Sequence, residues 1–231
     1  MNLNDFIKEL EKINIKPTKN QLNQLEKYYE LLIEYNKVMN LTGITEKKEV
    51  YLKHFYDSLT LHKVIDLSSN YTLCDIGSGA GFPGIVLKII FPNLKITLID
   101  SLNKRIKFLN KVIEELELEG IEAISFRIEE YGKINREKFD LVTARAVAQV
   151  NILLEYAIPL LKVNGKFIAM KSQVDENYKN AMIKLNCTLI KEQQFLLPIE
   201  KSNRKLLVFE KKAKTQKKYP RNYANIKNQP L

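Results

Sequence analysis

Two acids, Asp75 and Asp100, stand where a sequence can do chemistry. Asp75 sits near the end of an apolar run, Tyr71 to Ile76, and glycines follow at 77, 79 and 81. Phe82-Pro83-Gly84 then leads into a second apolar run, Ile85 to Phe91. The order reads as strand, glycine-rich turn, helix. Glycine lets a ligand approach the main chain closely, and the helix start behind it offers unpaired N–H groups and a partial positive charge. Gly79-Ala-Gly81-Phe-Pro-Gly84 matches the dinucleotide fingerprint G-x-G-x-x-G, but in the wrong register. In that fingerprint the first glycine ends the strand, whereas here the pattern is Asp-x-Gly-x-Gly-x-Gly. A carboxylate at a strand tip repels a pyrophosphate and pairs with an ammonium. S-adenosylmethionine (SAM) carries an ammonium, a sulfonium and an adenosine, and no phosphate. Asp100 ends the next apolar run, 25 residues on, where a second acid would meet ribose hydroxyls. Asp100 suits SAM and NAD alike, and Asp75 favours SAM. The structural alternative for either acid is a cap or a turn.

These residues need strand tips to hold them. From residue 71 onward, strand-like and helix-like runs alternate, as in a parallel α/β sheet. The expected strands are 71–76, 94–99, 121–126, 139–143, 165–171, 187–196 and 204–210. The expected helices between them are about 82–91, 103–118, 148–161 and 174–185. Only Pro198 to Asn203 separates the last two strands, too little for a crossover helix, so they should form an antiparallel hairpin. Ahead of the sheet, apolar stripes at helical spacing predict helices over 3–13, 18–38 and about 46–65. The chain thus divides into a helical extension (1–66), a sheet core (67–210) and a basic tail (211–231).

In open parallel sheets ligands bind beyond the carboxyl ends of the strands. The first tip offers Asp75, Gly77, Gly79, Gly81 and Phe82, and the second Asp100. At the third, Ile128 would cover an adenine face and Glu129 would accept from its amine. The fourth and fifth offer Arg145 and Lys171 to grip a base edge or flanking phosphates, with an ion pair to Asp140 or Glu155 as the structural alternative for Arg145. His54 and Asp57 read as a hydrogen-bonded pair that fixes the helical layer to the core.

Composition narrows the partners. The net charge is +10, and residues 211–231 hold six lysines and one arginine without an acid. Such a tail favours a polyanion, although a solvated, poorly structured end would have the same composition. Lys217, Lys218 and Arg221 in the tail, and Lys104 and Arg105 at a helix start, are the candidate RNA contacts. No apolar run approaches the ~20 residues of a membrane span, and no secretory signal pattern opens the chain. Cys74 and Cys187 read as reduced core residues of a cytoplasmic protein, and no metal site is expected.

Asp75-Ile-Gly-Ser-Gly-Ala-Gly-Phe-Pro-Gly84, Asp100-Ser-x-x-Lys104-Arg105-x-x-Phe108-Leu109 and Phe139-Asp140-x-Val142-x-x-Arg145-Ala146 together resemble the RsmG (GidB) family. So do Asn40-Leu41-Thr42, His54-x-x-Asp57-Ser58-Leu59, Tyr219-Pro220-Arg221 and Pro230-Leu231, so the resemblance spans nearly the whole chain. It implies a bacterial enzyme that uses SAM to methylate N7 of a guanine in the decoding region of 16S ribosomal RNA, working as a monomer on RNA or the small subunit. It implies a class I SAM-dependent methyltransferase fold, Rossmann-like and mostly parallel, with seven strands and an antiparallel C-terminal hairpin. It also implies cofactor contact through Gly77, Phe82, Ile128, Glu129 and Arg145. Two departures stand out. Asn222-Tyr-Ala-Asn-Ile226 replaces a lysine-, glycine- and proline-rich turn, and Ser172 stands where relatives often have glycine. The rival readings are a SAM enzyme for a protein or small metabolite, a non-catalytic ribosome- or RNA-binding protein on the same fold, and, more remotely, an NAD-linked oxidoreductase.

Overall fold

The computed structural model describes residues 1–145, 148–172 and 177–231. The N-terminal helices are α1 (Leu3–Glu11) and α2 (Lys19–Met39), then α3 (Lys47–Val50), a π-helical turn (Tyr51–Tyr56), α4 (Asp57–Leu59) and a 3-10 turn (Thr60–Lys63). Alternation follows through β1 (Thr72–Ile76), α5 (Gly84–Ile90), β2 (Lys95–Asp100), α6 (Asn103–Glu115), β3 (Ile121–Ser125) and α7 (Ile128–Ile134). Next come β4 (Phe139–Arg145), α8 (Val150–Ala157), β5 (Leu161–Lys171), α9 (Lys179–Leu185), β6 (Cys187–Leu196), β7 (Asn203–Lys211) and α10 (Tyr223–Asn228).

Among the described residues these strands form a seven-stranded sheet in the order β3-β2-β1-β4-β5-β7-β6. β1 to β5 run parallel, and β7 lies antiparallel between β5 and β6. The expected hairpin is present, with β7 inserted next to β5. The order reverses beside β1, which places the switch point, and hence a ligand crevice, at the tips of β1 and β4.

Side-chain alternation along the strands sends residues to two different cores. Leu73, Leu98 and Ile168 pack with the N-terminal helices, α5 and α6. Cys74, Ile76, Val142 and Phe167 pack with α8, α9 and the end of the chain. The N-terminal helices are joined to the first core along α5. Thr18 and Gln21 form a reciprocal cap at the start of α2, and Gln21 also donates to the carbonyls of Ile89 and Ile90. The phenol of Tyr28 donates to the carbonyl of Ala80 at the other end of α5.

The structure departs from expectation in three places. The helix expected over 46–65 is broken by the π turn and the 3-10 turn. α7 is an additional helix, opened by Glu129 and Glu130 in its first turn, where acids favour a helix start. The tail, expected to be poorly structured, is packed: Tyr219, Ile226 and Leu231 are buried in the second core, and Asn222 caps α10 through Asn225 N–H. The first residues of the helix expected at 174–185 lie outside the described residues, as does Ala146 of the family motif. No described helix is long and apolar enough to cross a membrane.

Candidate active site

A cleft of about 760 Å³ opens at the strand tips, a volume in the range of small-molecule sites. It is lined by the loop Gly77-Ser78-Gly79-Ala80 with Phe82, by Asp100 at the end of β2 and Ser101 after it, and by Ile128 and Glu129 of α7. Thr42, His54 and Arg145 line it as well. Of the expected cofactor contacts, Gly77, Gly79, Phe82, Asp100, Ile128, Glu129 and Arg145 line the cleft, and Asp75 and Gly81 do not.

Asp100 is the centre of the cofactor side. Its Oδ2 accepts from the Gly79 amide at 3.0 Å and from Arg105 Nη1 at 3.0 Å, and its Oδ1 accepts from the Leu102 amide at 2.9 Å. Arg105 is therefore tied to a wall carboxylate. Glu129 is nearly buried, and among the described residues its only charged partner is Arg127, at 3.7 Å.

Asp75 stands behind the cleft wall. It is fully buried and does not line the cleft. Its Oδ2 accepts from the Gly84 amide at 2.9 Å at the start of α5, while Oδ1 is buried with no partner among the described residues. These are the contacts of the capping alternative. Burial pushes its carboxyl up to about 7, against the opposing pulls of the Gly84 amide and Arg145. Its proton is held more tightly in the folded chain than in the unfolded one, where the ordinary value is 3.8. The stability this group contributes is thus full below about 4 and lost as pH rises through about 7. Asp75→Asn, which keeps an acceptor for Gly84, should gain on wild type by about 2 kcal/mol between pH 5 and pH 8. Urea midpoints of the ligand-free proteins at the two pH values measure this, and a constant difference would contradict it.

Gly81 also sits behind the wall; a Cβ there would lie 2.6 Å from Ile85 Cγ1 and from the Tyr28 hydroxyl. Gly79 faces open space, with nothing nearer to an added Cβ than the Gly77 carbonyl at 3.9 Å. Lys171 does not line the cleft, but donates to the carbonyl of Ala148, which does. Lys104 is exposed and donates to the Met39 carbonyl, and Lys217 and Lys218 are exposed. Arg221 is held from within: its backbone N–H, Nε and Nη2 all donate to the buried carboxylate of Glu155, at 2.6 to 2.9 Å.

Arg145 is the hub of a second cluster. Its Nη1 donates to the Lys53 carbonyl at 3.0 Å and lies 3.4 Å from Asp57 Oδ2; its Nη2 is 3.2 Å from His54 Nδ1. The guanidinium also lies 5.2 Å from the ring centre of Phe82. Asp57 holds a second arginine, accepting from Arg204 Nε at 3.0 Å. The expected His54–Asp57 pair is thus bridged by Arg145, and the partner of Arg145 is neither Asp140 nor Glu155. Lys162 takes Asp140 and Arg221 takes Glu155. His54 stacks on Phe82 with ring centres 4.3 Å apart, and its Nε2 is 2.9 Å from Thr42 Oγ1. Arg204, and the wall residues Tyr223 and Lys227 of α10, were not singled out by sequence reasoning. The contacts that place Arg204 and Tyr223, to Asp57 and Arg127, lie far away along the chain and leave no local signal.

A family model described as "GidB: rRNA small subunit methyltransferase G" matches residues 21–207. The chain belongs to the GidB family. Relatives of this family named ribosomal RNA small subunit methyltransferase G, from Bacillus thuringiensis (strain Al Hakam) and Bacillus cereus (strain AH187), are each 49% identical over 227 residues, covering 96% of this chain and 95% of the relative. Solved structures place the GidB core in the SAM-dependent methyltransferase fold. A putative sarcosine dimethylglycine methyltransferase from Galdieria sulphuraria superposes with TM-score 0.58 at 11% identity, covering 81% of this chain and 99% of that one. A SAM dependent methyltransferase from Aquifex aeolicus gives 0.56 at 15% identity, covering 76% and 98%. At such identities the likeness concerns the fold. GidB enzymes use SAM, and the cleft suits it: a bare glycine loop leaves room for the main chain to meet a ligand, and two wall carboxylates suit hydroxyls and an amine while opposing phosphate.

Proposed function

We propose that this cleft binds SAM and that the chain methylates N7 of a guanine in the decoding region of 16S ribosomal RNA. The observation that supports the reading is one cleft lined by two clusters, Gly79, Asp100 and Glu129 on the one hand and Arg145, His54 and Phe82, which touch one another, on the other. Asp100 would accept from ribose hydroxyls, Glu129 from the adenine amine, and Ile128 would lie against the ring. When bound, SAM supplies an electrophilic methyl group on its sulfonium.

The Arg145 cluster suits a nucleophile that has no proton to lose. Guanine N7 carries an in-plane lone pair, so its methylation needs positioning and exclusion of water, with no general base. His54, the histidine in the wall, is pushed down to about 3, first by burial and then by the charge of Arg145. It is neutral near pH 7, with Nδ1 3.2 Å from both Arg145 Nη2 and the Lys53 carbonyl oxygen, and Nε2 2.9 Å from Thr42 Oγ1. Both ring nitrogens are thus engaged in holding the wall. Arg145 has two of its nitrogens committed to fixed partners and presents a rigid edge to the cleft. A fixed guanidinium can orient a guanine through its Hoogsteen oxygen while leaving N7 open. We also propose that the chain acts as a cytoplasmic monomer, with residues 1–66 as a layer on the catalytic core. The buried free thiols of Cys74 and Cys187 suit a reducing compartment.

The test is incubation with labelled SAM and small subunits from a strain lacking the gene, followed by nuclease digestion and mass spectrometry. One 7-methylguanosine in the decoding region is the expected product. Label on protein or on a small metabolite, with none in RNA, would reject the substrate but retain the cofactor.

A further inference from the structure

The C-terminal segment 211–231 has the charge of an RNA-binding arm, but its helix α10 has the placement of a binding-site wall. Three anchors fix it. Arg221 is clamped on the buried Glu155 of α8. Arg136 donates to the carbonyls of Tyr219 and Thr215 at 2.5 and 2.6 Å. Ile226 is fully buried, and Asn151 donates to the carbonyl of Leu231 at 3.3 Å. These anchors seat α10 on α8 and α7, and both of those helices also line the cleft, α7 through Ile128 and Glu129 and α8 through Ile152 and Tyr156. Tyr223 and Lys227 of α10 complete that side.

The Tyr223 ring is held in place as well as nearby. The Arg127 guanidinium lies 5.1 Å from its centre and the Lys227 ammonium 5.9 Å. Cations at such distances are attracted to the negative face of the ring. Arg127 directly precedes Ile128 and Glu129, so the contact ties the helix to the cleft wall assigned above to adenine. An arm serving only RNA would have no reason to place a fixed aromatic ring there.

We propose that α10 is part of the cofactor site and that Tyr223 covers the purine nucleoside end of the cleft. This rests on the reading of the cleft as a SAM site. The ring adds an aromatic face at the mouth and keeps water from the base. The tail's cations then contribute to cofactor binding through Tyr223, in addition to any contact with RNA.

Calorimetry in the absence of RNA tests this, using full-length wild type, Tyr223→Ala and Tyr223→Phe with SAM and with adenosine as probes. Tyr223 is 44% exposed, so its loss should leave the fold intact. Tyr223→Ala should weaken both probes by about tenfold, as expected for losing an aromatic face under a base, while Tyr223→Phe stays within about twofold. Unchanged SAM affinity in Tyr223→Ala would overturn the proposal. So would a loss for SAM with none for adenosine, which would put the ring at the amino-acid end. Failure of wild type to bind SAM at all would instead remove the underlying cofactor reading.

Discussion

Asp57→Ala is expected to lower folding stability by about 3–5 kcal/mol, the usual cost of stranding a buried charge. Asp57 is nearly buried and is shared by Arg145 and Arg204, whose side chains are themselves mostly covered. Removing the carboxylate leaves two neighbouring guanidiniums to repel each other with little water to screen them. The same change should reduce methyl transfer at least about a hundredfold even where the protein stays folded, because a shift of about 1 Å in Arg145 suffices for such a loss. Arg204→Ala is the informative partner. It leaves the Asp57–Arg145 contact in place, so it should cost less on both counts. Denaturant melts and single-turnover methylation of small subunits measure the two effects. A stability loss below 1 kcal/mol for Asp57→Ala would show that the ion network is not what holds this cluster together.

The second large effect separates two glycines only two positions apart. Gly81 has φ +98°, and a Cβ there would come within 2.6 Å of Ile85 and Tyr28 and 3.0 Å of Leu109. Gly81→Ala combines a strained backbone with an overfilled core, and should cost about 3 kcal/mol. Gly79 has φ +59° but open space around it. Gly79→Ala should cost about 1 kcal/mol in stability and weaken SAM at least about tenfold, since its methyl group projects where the main chain would meet the ligand. Thermal melts and calorimetry on the pair give the contrast. If Gly81→Ala melts like wild type, the loop is not packed from behind as described; equal SAM affinity for Gly79→Ala would remove that glycine from the cofactor surface.

What could be read in advance follows from what is local. Glycines, acids and apolar runs lie next to one another in sequence, so the strand tips and the loop were legible, and the short gap before β7 was enough to require a hairpin. The aim of a side chain depends on the pleat and was not legible. Asp75 shares a strand face with Leu73 and points toward α5, whereas Asp100 is the last residue of its strand and reaches the cleft. Long-range partners were equally hidden. Nothing near Arg221 signals Glu155, 66 residues earlier, and nothing near Asp57 signals Arg204, 147 residues later. The packing of the tail was hidden because the residues it buries, Tyr219, Ile226 and Leu231, are spread thinly through a lysine-rich segment.

Tyr28 reaches through the N-terminal layer to the carbonyl of Ala80, and Gln21 of the same helix holds the far end of α5. In kinetic terms, opening the glycine loop at Ala80 requires breaking a buried tie to a 21-residue helix, so amide exchange there is expected to be slow. A loop pinned in this way cannot act as the flap through which the cofactor comes and goes. The exposed part of the wall lies elsewhere, at Tyr223 of α10, which meets Arg127 just ahead of α7.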